Sequence, residues 1–211
     1  MTQDTYVRNQ GKHEKKETFE WITSWCDYAN KEDAPRVLLI GDSIVRSYQE
    51  LVREDLRGVC YVDYISTSYA LDNPIYKSVI VGMAKNSAYD LILFNFGLHG
   101  GHINARSYAA RYAKVLDALR AQAPVIPIMT TTVYKKDSKR FDPVWRKKCA
   151  ARNAAVWKLA EERSLTVCDL FSVCDSIPYG MRSPDGFHFK EDGRRILADR
   201  VTETIRAFFG K

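Results

Sequence analysis

One repeating pattern limits what this chain can fold into more than any other. A short apolar run is followed, again and again, by a longer amphipathic segment. "RVLLIG" precedes a helical pattern over Val45 to Leu56, "VCYVDYI" one over Asn73 to Lys85, and "YDLILFNFG" one over Asn104 to Gln122. "APVIPIMTTT" leads through a basic loop to Pro143 to Arg163, and "LTVCDL" leads through a further loop to a last helix over Lys190 to Phe209. Short runs rich in Val, Ile and Leu suit strands buried on both faces. Strands alternating with longer helices build βαβ units and a parallel sheet. The expected architecture is therefore α/β, with five parallel strands, helices on both faces, and an additional helix over Glu17 to Asn30. Residues 1–34 are expected to form an extension whose helix packs on a single domain spanning 35–211.

Composition narrows the classes. The chain has 211 residues, 45% of them hydrophobic. That supports a full core and argues against wholesale disorder. No apolar run approaches the roughly 20 residues of a membrane helix. The polar start, "MTQDTYVRNQGKHEKKETFEW", lacks the apolar stretch of a secretory signal. A cytoplasmic protein that does not enter a membrane is expected. The five cysteines form no C-x-x-C pair, which suits reduced thiols rather than disulfides or a zinc site. The net charge is +6, and eight Lys or Arg against two Asp between Lys135 and Arg152 account for all of it. So local a patch points away from nucleic acid. It reads as a solvated loop and helix face, or as an attractor for an anionic substrate or polymer.

In parallel sheets of this kind ligands bind beyond the carboxyl ends of the strands. The residues just past the apolar runs are Gly41-Asp42-Ser43, Ser66-Thr67-Ser68, Gly97 to His102 and Thr130-Thr131-Thr132. Hydroxyls, glycines and histidines gather there, whereas the runs are greasy. Ser43 lies at the first turn after "VLLI". At a helix N-terminus unpaired N–H groups stabilise negative charge. Taken alone, Asp42 or Ser43 could equally be an ordinary helix cap.

A second motif, "SPDGFHF", stands before the last helix. Asp185 and His188 are three residues apart in a turn. A histidine base needs an acceptor on its other ring nitrogen to fix the tautomer. Ser43, Asp185 and His188 thus supply a nucleophile, an orienting acid and a base, in the order Ser…Asp…His that one known triad arrangement uses. "GDS" after the first strand and "DGFH" before the last helix resemble blocks one and five of the SGNH (GDSL-like) hydrolases, over about Val37 to Phe209. The resemblance implies a three-layer α/β/α, flavodoxin-like fold with a five-stranded parallel sheet. It also implies a serine nucleophile at Ser43, completed by Asp185 and His188, and no cofactor.

The middle blocks depart from that family. Its block two places a glycine after the second strand, where this chain has "YISTSYA"; Ser66 or Thr67 is the nearest stand-in. Its block three reads G-x-N-D, where this chain has "NFGLHGGH". Gly97 matches, but His99 stands in the place of the asparagine, wording that resembles a subset of SGNH-like proteins. An imidazole N–H can donate to an oxyanion as an amide can. The candidate oxyanion hole is therefore the Ser43 N–H, Ser66 and His99, with Asn95 as a candidate compensating donor. Asp42, Gly97, Thr67, His102 and Tyr134 are candidate substrate contacts, although Asp42 could equally brace the turn. A rival reading makes His99, His102, Asp185 and His188 metal ligands; the two glycines between His99 and His102 weigh against it, and no metal is expected.

The expected activity is a serine esterase. Nothing in the chain supplies an apolar insertion for long acyl chains, whereas Tyr, Trp and basic residues flank the rim. Short acyl esters, acetyl foremost, on a small molecule or saccharide are the expected substrates. The alternative is a catalytically altered member of the fold that binds an anionic polymer or ligand.

Overall fold

A computed structural model gives the structure of the chain and describes residues 16–131 and 143–210. Its centre is β2 (Arg36–Gly41), in which every residue is buried. β2 lies between β3 (Tyr61–Thr67) and β4 (Leu91–Phe94) and pairs in parallel with both. β5 (Val125–Pro127) extends the sheet in parallel beyond β4. Side chains alternate across a strand, so β2 feeds two cores. Val37 and Leu39 meet α1 (Ser43–Asp55) and α6 (Glu191–Phe208) on one face. Leu38 and Ile40 meet α2 (Tyr76–Ala84) and α3 (Ala105–Arg120) on the other. That is why Val37 to Ile40 are all apolar.

α4 (Pro143–Glu162) packs beside α3, and α5 (Leu170–Ser176) beside α6. Five of the expected helices, α1, α2, α3, α4 and α6, occur where the periodicity places them. Two of the strand and helix expectations do not hold.

Glu17 to Asn30 forms no helix. It holds β1 (Ile22–Trp25), which pairs antiparallel with β3 through Ile22–Thr67, Thr23–Ser66, Ser24–Ile65 and Trp25–Tyr64. The sequence Trp-Ile-Thr-Ser-Trp is rich in β-branched and aromatic residues, and β3 offers an open edge whose backbone groups need partners. A buried ion pair anchors the turn that follows. Arg36 donates to Asp63 at 2.8 Å and to the Asp27, Tyr28 and Lys31 carbonyls at 2.8–3.0 Å. The other Asp63 oxygen accepts from Tyr89 at 2.9 Å.

"LTVCDL" is likewise no fifth parallel strand. It makes one bridge, Ile128 to Cys168. Asp169 then caps α5, accepting from the Ser172 N–H at 3.0 Å and its hydroxyl at 2.6 Å. An aspartate free to cap a helix ends the extended run at once. The sheet is therefore five-stranded in the order β1-β3-β2-β4-β5, four strands parallel and one antiparallel.

Strand order reverses at β2, because the chain moves first to β3 on one side and then to β4 on the other. The carboxyl end of β2 is thus the switch point where such sheets bind ligands. Cys60, Cys149, Cys168 and Cys174 are buried, and burial pushes the Cys168 thiol up to about 11. No described helix is long and apolar enough to cross a membrane.

The exit from β2 is tight. A Cβ on Gly41 would overlap the Val45 side chain, lying 2.9 Å from Val45 Cβ. Gly41→Ala is expected to lower unfolding free energy by about 1–3 kcal/mol, read as a lower urea midpoint. An unchanged midpoint contradicts the close approach of β2 and α1.

Candidate active site

The turn after β2 is built around Asp42, which is almost fully buried. Its Oδ1 accepts the Ile44 N–H at 2.9 Å and so caps α1. Its Oδ2 accepts the Leu98 N–H at 2.9 Å, in the loop after β4. Both carboxylate oxygens are engaged by backbone, so Asp42 braces two loops rather than meeting substrate. Ser43 is the first residue of α1, where backbone N–H groups have no intrahelical acceptor.

Ser43 Oγ lies 2.8 Å from His188 Nε2, across 145 residues of sequence. His188 Nδ1 lies 2.6 Å from Asp185 Oδ2. A carboxylate accepts only, so Nδ1 carries the proton and Nε2 presents its lone pair to the serine. Asp185 Oδ1 accepts the Phe187 and His188 N–H groups at 2.9 and 3.0 Å. Burial alone would raise the Asp185 carboxyl; the hydrogen bonds from the His188 ring and these two amides outweigh it and hold the carboxyl below its ordinary value.

The loop carrying the pair is closed by Ser183 N–H donating to the His188 carbonyl at 2.9 Å and by an Arg182–Phe189 bridge. Gly186 takes a φ of 77°, which favours glycine. Arg182, buried over the Phe189 ring, donates to the carbonyls of Gly186 at 3.2 Å and Cys174 at 2.8 Å. It fixes the loop from below.

The other candidate residues occupy different surroundings. Ser66 and Thr67 end β3 fully covered. The Ser66 hydroxyl pairs with Thr23 at 2.8 Å, and Thr67 donates to the Trp21 carbonyl at 2.7 Å while accepting from the Tyr69 N–H at 3.0 Å. Both hydroxyls are held by β1 and its approach, leaving only backbone donors at this edge. Asn95 does not face the site as a donor: its amide gives a hydrogen bond to the Ile128 carbonyl at 3.0 Å, bracing the exit of β5. Gly97 is there for space, since a Cβ would overlap Asp42 Oδ2 and lie 2.7 Å from Thr130 Oγ1. His102 Nε2 pairs with Asp72 at 2.7 Å, one loop away from the triad. Tyr134 lies outside the described residues.

His99 is held from two sides. Its Nδ1 lies 2.7 Å from Glu17 Oε2, and Glu17 Oε1 accepts the Gly100 N–H at 3.1 Å. Its Nε2 is buried with no hydrogen-bond partner among the described residues. Burial would lower the His99 pKa, but the Glu17 hydrogen bond and the charges of Asp42 and Glu17 outweigh it and leave it raised. From the other side Arg152 donates to the carbonyls of Gly97, His99 and Gly100 at 2.7–2.9 Å. The sequence places Arg152 in a basic, solvated face; it is 1% exposed. Arg146 pairs with Asp175 through two bonds of 2.8 and 2.6 Å, and Lys148 donates to the Gly101 carbonyl. These cations of the patch hold the fold together. Trp145 and Phe187, edge to face at 6.1 Å, stand beside Gly101 and His188.

Glu17 and Arg152 escape sequence reasoning because their partners are far along the chain and neither belongs to a motif. His99 pairs with Glu17, His102 with Asp72 and His188 with Asp185, and no group of three or more His, Cys, Asp or Glu among the described residues is placed to hold a metal ion.

The sheet order, with its switch point after β2, is that of the SGNH hydrolase fold. The chain belongs to the GDSL-like lipase/acylhydrolase family, whose model matches residues 39–196. Similar solved structures include a carbohydrate esterase family 3 protein from Talaromyces cellulolyticus, 19% identical, with TM-score 0.67, covering 83% of this chain and 98% of that one. A catalytic mutant of an acetylxylan esterase from Geobacillus stearothermophilus is 14% identical, with TM-score 0.65 and coverage of 81% and 94%. A lipase/acylhydrolase from Enterococcus faecalis is 16% identical, with TM-score 0.62 and coverage of 82% and 96%. No curated protein matches the sequence.

Asp42→Ala removes a helix cap and leaves the half-buried Leu98 N–H without its acceptor. The expected cost is about 2–4 kcal/mol, read by chemical denaturation. A loss below about 0.5 kcal/mol contradicts the bracing role.

Proposed function

We propose that the chain is a serine esterase that removes short acyl groups, acetyl foremost, from a polar substrate of the carbohydrate type. The carrying observation is the continuous relay Asp185–His188–Ser43, with heavy-atom separations of 2.6 and 2.8 Å. These lie within hydrogen-bond reach of a nucleophile, a base and an orienting acid.

In this reading His188 Nε2 takes the Ser43 proton as Oγ attacks the ester carbonyl carbon. The carbonyl electron pair moves onto oxygen, which faces the Ser43 N–H, a backbone donor at the Ser66 edge, and His99. The tetrahedral species expels the alcohol, protonated by His188, and leaves acyl-Ser43. Water, deprotonated by His188, attacks the acyl carbon; collapse releases the acid and returns the proton to Ser43. Asp185 holds the ring and stabilises its charged form throughout.

The preference for short acyl groups rests on surroundings. The triad loop is open: the His188 and Asp185 side chains are 41% and 48% exposed. Beside them stands the Trp145–Phe187 pair, a shape suited to the face of a sugar ring rather than to an acyl chain. Solved structures of similar fold include a carbohydrate esterase and an acetyl xylan esterase, which accords with this choice.

Ser43→Ala is expected to abolish hydrolysis of p-nitrophenyl acetate with an unchanged circular dichroism spectrum; undiminished turnover refutes the mechanism. Across a series of p-nitrophenyl esters, kcat/KM should fall steadily from two carbons upward. A maximum at eight carbons or more would refute the substrate class.

A further inference from the structure

The family asparagine would offer an amide N–H to the oxyanion in either protonation state of its surroundings. A histidine in that place does so only under a condition, and Glu17 sets it. The Glu17 carboxylate accepts from Nδ1 at 2.7 Å, so the proton of a neutral His99 ring resides on Nδ1. Nε2 then carries a bare lone pair, which repels an oxyanion. Only the doubly protonated ring has an Nε2–H to donate.

The segment bearing Glu17 is fixed by the sheet. Trp21 exchanges hydrogen bonds with Ser68, its N–H donating to Ser68 Oγ at 2.9 Å and its carbonyl accepting the Ser68 N–H at 3.1 Å. The Trp21 ring stands edge-on to His99 at 6.4 Å, and Arg46 of α1 lies 4.3 Å over its centroid. Glu17 therefore reaches the loop after β4 through residues upstream of the matched family region, which starts at residue 39.

We propose that Glu17 is a positioning residue for the esterase reaction: it fixes the Nδ1 proton of His99, so that His99 donates to the oxyanion through Nε2 only as the imidazolium, and the reaction loses rate as that ring deprotonates. The inference rests on the serine-esterase reading. Glu17 and Asp42 face the ring as anions and favour the charged form. Arg152 faces the loop as a cation and opposes it, with Arg46 over the Trp21 ring, Lys148 at the Gly101 carbonyl, the Asp72–His102 pair further along the loop and the Asp185–His188 pair at the nucleophile. Burial pulls the ring towards neutrality, and the Glu17 hydrogen bond and the two anions more than offset it. The coupling is mutual: burial would raise the Glu17 carboxyl, and the His99 hydrogen bond and charge hold it lowered instead. Because the folded His99 pKa is raised, the charged form is present at lower pH and is lost as pH rises through the folded value.

The test compares pH profiles of kcat and KM for the parent, Glu17→Gln, His99→Asn and the double variant, with the His99 ring titrated by NMR; the chain has four histidines, and His99→Asn assigns the signal. The parent should show an alkaline fall in kcat. Glu17→Gln keeps an acceptor but removes the charge. It should move both that fall and the ring midpoint to lower pH, and reduce kcat by about 10-fold or more at alkaline pH, with KM within about 2-fold. His99→Asn should abolish the alkaline fall, and Glu17→Gln added to it should change kcat by less than about 2-fold. An alkaline fall that survives His99→Asn overturns the inference, as does an equal loss from Glu17→Gln in both backgrounds, which marks a merely structural role. A His99 midpoint unmoved by Glu17→Gln overturns it independently of activity. A parent chain without esterase activity overturns the serine-esterase reading instead, and the ring titration still reports on the pairing.

Discussion

The Asp42 carboxylate accepts one backbone amide from α1 and one from the loop after β4, each at 2.9 Å. Those two bonds set the distance between the serine turn and the loop that carries His99. A buried carboxylate with both oxygens engaged has little freedom, and removing either amide would leave charge uncompensated in a low-dielectric place. The neighbouring glycines follow from it. Gly97 leaves room for Asp42 Oδ2, and Gly41 lets β2 pass directly under Val45. The site is therefore assembled where the sheet's strand order reverses, by a side chain whose task is geometric rather than chemical.

The loop after β4 is held by ions of both signs. Arg152 gathers three of its carbonyls, and Glu17 takes an N–H and a ring nitrogen from the same stretch. Charge-assisted hydrogen bonds of this kind are shorter and stronger than neutral ones, and preorganised donors are most effective where water is excluded. The loop is thus held at several of its backbone groups and at one ring nitrogen. β1 contributes to this indirectly, because its pairing with β3 brings Trp21 and Glu17 to the carboxyl edge of the sheet.

The frame of the fold is legible in the sequence because strands buried on both faces are mostly apolar, and four such runs stand out against amphipathic helices; the exception Asp63 in β3 is held by Arg36 and Tyr89. The Asp185–His188 pair is legible because its two members act within three residues of each other, and Ser43 because it stands in the short motif that ends β2. What is illegible depends on contacts remote in sequence. The helical reading of Glu17 to Asn30 fails because only the free edge of β3 selects the extended form. "LTVCDL" looks like a strand until Asp169 caps the helix after it. Asn95 and the hydroxyls of Ser66 and Thr67 look like donors at the rim, yet the Ile128 carbonyl, Thr23 and Trp21 already hold them. Arg152 reads as one charge in a basic face, and its burial follows from the fold of a loop some fifty residues upstream. His99 marks a departure from the family pattern, but its partner is 82 residues away.

The central claim is that Ser43 is a nucleophile activated by His188. Intact-mass spectrometry after treatment with a fluorophosphonate, followed by peptide mapping, tests it most directly. One adduct on the peptide containing Ser43, formed by the folded parent and lost in His188→Ala, is the result the account predicts. No adduct, or an adduct on another serine at equal rate, would contradict it.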